Sequence, residues 1–182
     1  LKVIHSEIEY DQNKGEKSVA YVGISNWILD AAKMNRGLTI SILDPDEEDN
    51  KETALTIGKS FDDILAQKNQ IFFENLGKTY FSYKKFLKER HSLDGKEDFH
   101  GNRDFYHLVK NSARNMIIKE KSNQLNEQSL MDIAIKSIER NFSGMKFENT
   151  HPKESQEYFI KLFKELYPDC RAMNSSILDR IK

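Results

Sequence analysis

Two short apolar runs, with a polar tip and a short helix between them, limit this chain more than any other feature. The first run, Val19 to Ile24, is rich in β-branched and aromatic residues and bounded by polar ones, the pattern of a fully buried strand. It ends at Gly23-Ile24-Ser25-Asn26, where the side chains turn polar. Asp30 can cap a short helix that finishes with Arg36 before Gly37. A second apolar run, Leu38 to Leu43, follows at once and stops at Asp44-Pro45, because proline cannot continue a central strand. In open α/β sheets ligands lie beyond the carboxyl ends of the strands, so Asn26 stands where a polar group could meet one.

Beyond Pro45 the pattern is helical to the end. The acids of Asp44-Pro45-Asp46-Glu47-Glu48-Asp49 form a hinge and enrich a helix N-terminus, where negative charge is favourable. Glu52 to Phe61 is expected as a first helix, with Leu55 and Gly58 inward. Phe72, Leu76, Tyr80, Tyr83 and Leu87 form one stripe of a longer helix, whose end carries Lys84, Lys85, Lys88 and Arg90. Those cations complement a helix C-terminus; the other reading is a nucleic-acid patch. After a loop over Ser92 to Gly101, Phe105, Leu108, Val109, Ala113, Met116 and Ile117 make the clearest 3.6-period stripe. Asn126 or Ser129 can cap the next helix, which buries Leu130, Ile133, Ala134 and Ile138. Thr150 to Leu166 places Tyr158, Phe159, Leu162, Phe163 and Leu166 on one face, and a last short helix starts at Asn174 or Ser175. Leu1 to Tyr10 suits either a helix or a strand.

Composition narrows the function classes. A net charge of −1 gives no bulk attraction to nucleic acid or membrane. The single cysteine, Cys170, excludes an internal disulfide and a cysteine-built zinc site, and fits a reducing compartment. No apolar run approaches the roughly 20 residues of a membrane span. The start, LKVIHSEIEY, has no signal-peptide character and no initiator methionine, as in a piece of a longer protein. His5, His91, His100, His107 and His151 show no metal-ligand spacing. Gly58-Lys59-Ser60 imitates the end of a phosphate-binding loop, but Thr53 replaces the required first glycine and the setting is helical. Asp44 imitates a metal-holding acid at a strand end, but Pro45 follows it where a catalytic glutamate is needed.

Strand, polar tip, short helix, arginine, strand is the layout of the sensor-1 region of an AAA+ ATPase. The stretch GISNWILDAAKMNRG resembles the AAA+ modules of the mysterin family, giant dynein-like ATPases that are also ubiquitin ligases. FHGNRDFYHL, Phe99 to Leu108, and IERNFSG, Ile138 to Gly144, agree in order and spacing. Leu1 to Glu9 looks like the helix after that family's Walker B strand. The resemblance implies that Asn26 is sensor 1, orienting the attacking water, and that Arg36 is an arginine finger acting on a neighbouring module. It implies that Arg103 is sensor 2, contacting the phosphates of its own module from the lid. Each has a plainer reading: a strand-end turn residue for Asn26, a helix-end cation for Arg36, and a pair with Asp104 or Glu97 for Arg103. Trp27 reads as packing.

The fold expected is an α/β remnant joined to a mostly α body. Residues 1–44 are the C-terminal part of an AAA+ core, 45–148 a helical lid, and 149–182 a helical linker toward a following module. The family's phosphate-loop strand, which lies between the two strands here, is missing. They then pair directly, borrow a partner from another chain by strand exchange, or stay poorly ordered. The resemblance places the groups that hold ATP and Mg²⁺ just before Leu1, so this fragment alone is expected to bind neither and to be inactive. Its expected partners are the upstream half of the module and adjacent modules, with no nucleic acid and no membrane span, in the cytoplasm. The competing hypothesis is a helical protein-interaction domain with no nucleotide role. Ligase activity, implied only by the family, has no zinc-binding cysteines here to support it.

Overall fold

The computed structural model describes residues 22–25, 30–34, 38–91, 99–144 and 154–166. The chain divides into two units, Leu1–Leu43 and Asp44–Lys182.

In the first unit a single turn of helix, α1 (Ala31–Met34), starts after Asp30, whose carbonyl accepts from the Met34 N–H at 3.0 Å. The apolar runs on either side depart from the expected buried strands. Residues 22–25 and 38–43 have no regular structure. Val22, Ile24, Leu38, Ile40, Ile42 and Leu43 are exposed, Ile24 and Ile42 to 95%. The reason is physical: a strand satisfies its backbone through a neighbour, and no described residue belongs to a strand that could supply one. Leu1 to Tyr10, residues 19–21, Asn26, Trp27 and Arg36 lie outside the described residues.

The second unit contains six described helices. Asp46 caps α2 (Glu47–Phe61): its carboxylate accepts from the Asp49 N–H at 2.9 Å, and Asp49 accepts from the Asp46 N–H at 3.1 Å. Glu47, Glu48 and Asp49 fill the first turn, as the acidic hinge predicted. The helix therefore starts five residues earlier than Glu52, and its inward side is Asn50, Ala54 and Gly58, with Leu55 only partly covered. Asp62 ends α2 and caps α3 (Asp63–Lys68). The long α4 (Gln70–His91) buries the whole predicted stripe of Phe72, Leu76, Tyr80, Tyr83 and Leu87.

α5 (Asn102–Lys121) buries Phe105, Leu108, Val109, Ala113 and Met116, with Ile117 half-buried. It closes with Asn123 in the left-handed region (φ 53°), where Gln124 N–H bonds Lys119 O and Asn123 N–H bonds Glu120 O. Asparagine tolerates that conformation because its short polar side chain costs little there. Both predicted caps act at α6 (Glu127–Asn141): Asn126 Oδ1 accepts from Ser129 N–H at 2.9 Å, and Ser129 Oγ accepts from Asn126 N–H at 2.8 Å. α7 (Glu154–Glu165) lays Phe159 and Phe163, both fully buried, against α4 and α6.

Burying each of these large side chains is worth about 1.5–3 kcal/mol, so the aromatic centre dominates this core. Phe142 stacks on Phe159 at 4.5 Å between ring centroids, and Tyr80 stacks on Phe105 at 4.4 Å. No helix among the described residues is long and apolar enough to cross a membrane.

Candidate functional site

Of the three candidate residues, Arg103 is the one that the structure describes. It is the second residue of α5, and its side chain is exposed. Its plainer reading, a pair with Asp104, does not hold. The Asp104 carboxylate instead accepts from the Gly101 N–H at 3.0 Å, closing the first turn of its own helix. Glu97, the other proposed partner, lies outside the described residues, as do Asn26 and Arg36.

A cleft of about 390 Å³ opens beside that first turn. Lys84, Lys85 and Lys88 of α4 form one wall, Gly101 and Asn102 the opposite one, and the Asp44-Pro45 hinge the rim. Buried Asn50 closes it from α2, with its side-chain N–H donated to Asp46 O at 2.6 Å. Tyr80 donates its hydroxyl to Asn102 Oδ1 at 3.1 Å, which leaves the Asn102 amide nitrogen as the donor end. Lys85 and Lys88 are exposed, and no described carboxylate stands within ion-pair distance of either. The sequence signal was the i, i+1, i+4 lysine spacing. Read as helix-end charge, it did not disclose which residues lie opposite.

Under this turn lies a buried polar cluster. His100 Nε2 faces Ser143 O at 3.3 Å, and Nδ1 faces the Tyr83 hydroxyl at 2.6 Å. A carbonyl only accepts, so Nε2 carries the proton and Nδ1 accepts from Tyr83. Burial lowers the His100 pKa and keeps the ring neutral; Ser143 O and Asp104 act against this, and Lys84 with it. Burial likewise raises the Tyr83 pKa, so its hydroxyl stays a donor. Phe142 and Phe99 pack on the imidazole at 5.0 and 4.9 Å. The residue before α5 is thus tied to α4 and to the end of α6. Sequence reading identified Tyr83 as core and saw no role for His100, because no spacing rule pairs a loop histidine with a tyrosine on a helical stripe.

No group of three His, Cys, Asp or Glu side chains among the described residues could hold a metal ion. Gly58-Lys59-Ser60 is inside α2: Gly58 is buried, with Phe73 ring atoms 2.8 Å from where a Cβ would stand. The Ser60 hydroxyl donates back to Ile57 O at 2.7 Å. Backbone N–H groups engaged in a helix cannot wrap a phosphate, so the triplet is a packing feature. A groove of about 550 Å³ along α7 has as its described lining residues of that helix, with Lys161 and Lys164 beside Glu157 and Glu165.

Comparison with known proteins adds the following. Residues 1–49 match the family described as the RNF213 AAA domain. The chain is 34% identical over 171 residues to the E3 ubiquitin-protein ligase rnf213-beta of Danio rerio, covering 91% of this chain and 3% of that protein. It is 36% identical over 149 residues to the E3 ubiquitin-protein ligase RNF213 of Homo sapiens, covering 79% of this chain and 3% of that one. The Mus musculus E3 ubiquitin-protein ligase RNF213 is 34% identical over 148 residues, again 79% of this chain and 3% of the relative. The chain therefore spans 3% of the length of these relatives. No solved structure matches it.

Proposed function

We propose that this chain, an RNF213-like AAA+ fragment, serves in its parent protein as the sensing half of an ATP-hydrolysing module. In this reading Asn26 is sensor 1, Arg36 is the arginine finger that reaches a neighbouring module, and Arg103 is sensor 2 on a helical lid. The observation that carries the reading is the family match over residues 1–49, the stretch containing both Asn26 and Arg36. The exposed Arg103 at the first turn of a helix in a separate unit agrees with it.

In this reading, which follows the family resemblance, ATP and Mg²⁺ are held by the upstream half of the module. Bound there, the metal supplies charge neutralisation at the phosphates. Asn26 contributes an amide that orients water by hydrogen bonds without a pKa of its own. Arg36 contributes a guanidinium that stays charged throughout. Nucleotide state then moves the helical unit against the core. The relatives' names further support placing this module in an E3 ubiquitin ligase. Alone, the fragment is proposed to hydrolyse nothing.

The test is Asn26→Ala in the complete module. Turnover should fall about 10²-fold, the scale of one lost transition-state group, with ATP affinity nearly kept. Equal loss of affinity and turnover would remove the sensor assignment.

A further inference from the structure

The described residues that line the cleft between α4 and the start of α5 all belong to the helical unit, and the cleft has no role in the reading above. We infer that it is a binding site for a compact polyphosphate, taken up by Lys85 and Lys88 with Lys84 behind them. Lys84 and Lys85 on one turn of α4 and Lys88 on the next line a cavity of about 390 Å³, of the size that takes a small ligand. Holding like charges along one wall raises the potential inside, and that field is relieved by a multiply charged anion rather than by water. Across the cavity Asn102 is exposed, and its amide nitrogen is the donor end because its oxygen accepts from Tyr80. Gly101 presents no side chain: a Cβ there would meet nothing within 4 Å, so the approach is open.

Several described acids near the cleft have other roles, and Glu89 is exposed on the same helix. Asp104 is bonded to the Gly101 N–H, and Asp46 and Asp49 cap α2. Glu47 and Glu48 hold Lys51 at 3.2 and 3.0 Å. Asp44, exposed on the rim, is the lining carboxylate among the described residues. It opposes an anion and gives the test an internal control of opposite sign.

The phosphates could be those of a nucleotide or of a free inorganic polyphosphate; the chemistry recognised is the same. The inference does not depend on the sensing role, and its test reads binding, not hydrolysis. The full 182-residue chain is titrated with inorganic pyrophosphate at low salt by calorimetry. Saturable binding is expected, weaker for orthophosphate and weaker again as salt is raised. Lys85→Gln with Lys88→Gln should weaken it at least about tenfold, the scale of losing two charge-assisted contacts. Asp44→Asn should tighten it about two- to threefold by removing a like charge. Helix content by circular dichroism must match the parent in every variant. Absence of saturation overturns the proposal, as does pyrophosphate binding that the double lysine variant leaves unchanged. Given binding that the variant abolishes, displacement by metal-free ATP assigns the site to nucleotide phosphates, and failure to displace assigns it to a free polyphosphate.

Discussion

Gly77 should not tolerate alanine, although it lies mid-helix, where alanine is ordinarily preferred. A Cβ at this position would stand 2.6 Å from Asn50 O and 2.6 Å from Lys51 N, both backbone atoms of α2. Ordinary contact starts at 3.4 Å, so the two helices would have to part by some tenths of an ångström along their closest crossing. Overpacking of this kind costs about 1–3 kcal/mol, and a backbone neighbour cannot rotate away, which places the cost at the upper end. Against it stands a helix-propensity gain of about 1 kcal/mol on replacing glycine. The net is a loss of about 1–2 kcal/mol, or a fall in Tm of about 2–8 °C for a chain of this size. Gly58→Ala is the matched control. It brings the same propensity gain, but its nearest neighbour is the Phe73 ring at 2.8 Å, a side chain that can tilt. Urea unfolding followed at 222 nm compares midpoints at constant slope. A Gly77→Ala midpoint at or above the parent's, or a Gly58→Ala loss larger than that of Gly77→Ala, would refute the reasoning.

Two further outcomes are expected. Because burial holds the His100 pKa down, the unfolded chain binds a proton that the folded chain does not; this stability is complete above the unfolded value of about 6.5 and is lost as pH falls below it. His100→Gln should flatten the decline in unfolding free energy below about pH 6.5, and parallel curves for parent and variant would contradict this. In a protein carrying two adjacent modules, Arg36→Ala should spare its own module's ATP affinity and slow its neighbour's hydrolysis by about 10³–10⁵. Arg103→Ala should instead weaken the nucleotide response of its own module; slowing confined to the module bearing Arg36→Ala would rule out the trans role.

The helical body was legible because its evidence is local. The stripe from Phe72 to Leu87 and the one from Phe105 to Met116 repeat every three or four residues, and both are buried as read. Asn126 named its own cap, since a cap bonds within one turn, and the hinge acids marked a helix start without showing that Asp46 caps it. The run Leu38 to Leu43 failed for the opposite reason. A strand is a property of a pair, and β-branched composition reports fitness for a sheet, not the presence of a neighbour. The cleft was invisible because it joins residues 44, 50, 84–88 and 101–102, brought together by tertiary packing. The polar cluster escaped too, because periodicity shows that Tyr83 is inside without showing what its hydroxyl meets.

A sensing arginine has two opposed requirements: its backbone must be fixed, and its guanidinium must be free to meet a charge that comes and goes. The first turn of α5 supplies the fixed part through contacts that leave Arg103 unused. Asp104 closes the turn onto Gly101, and Tyr80 anchors Asn102. His100, immediately upstream, is bonded to Tyr83 on α4 and to Ser143 after α6. Buried neutral networks of this kind tolerate little displacement, because any broken member becomes an unpaired polar group in a low-dielectric interior. A pull on the first turn of α5 would therefore pass into the middle of α4 and the segment after α6 rather than fraying one turn. Ser155 Oγ bonds Phe142 O at 3.3 Å, which carries the same linkage to α7. If Arg103 is only a solvated surface cation, His100→Gln will change stability without altering any nucleotide response of the complete module.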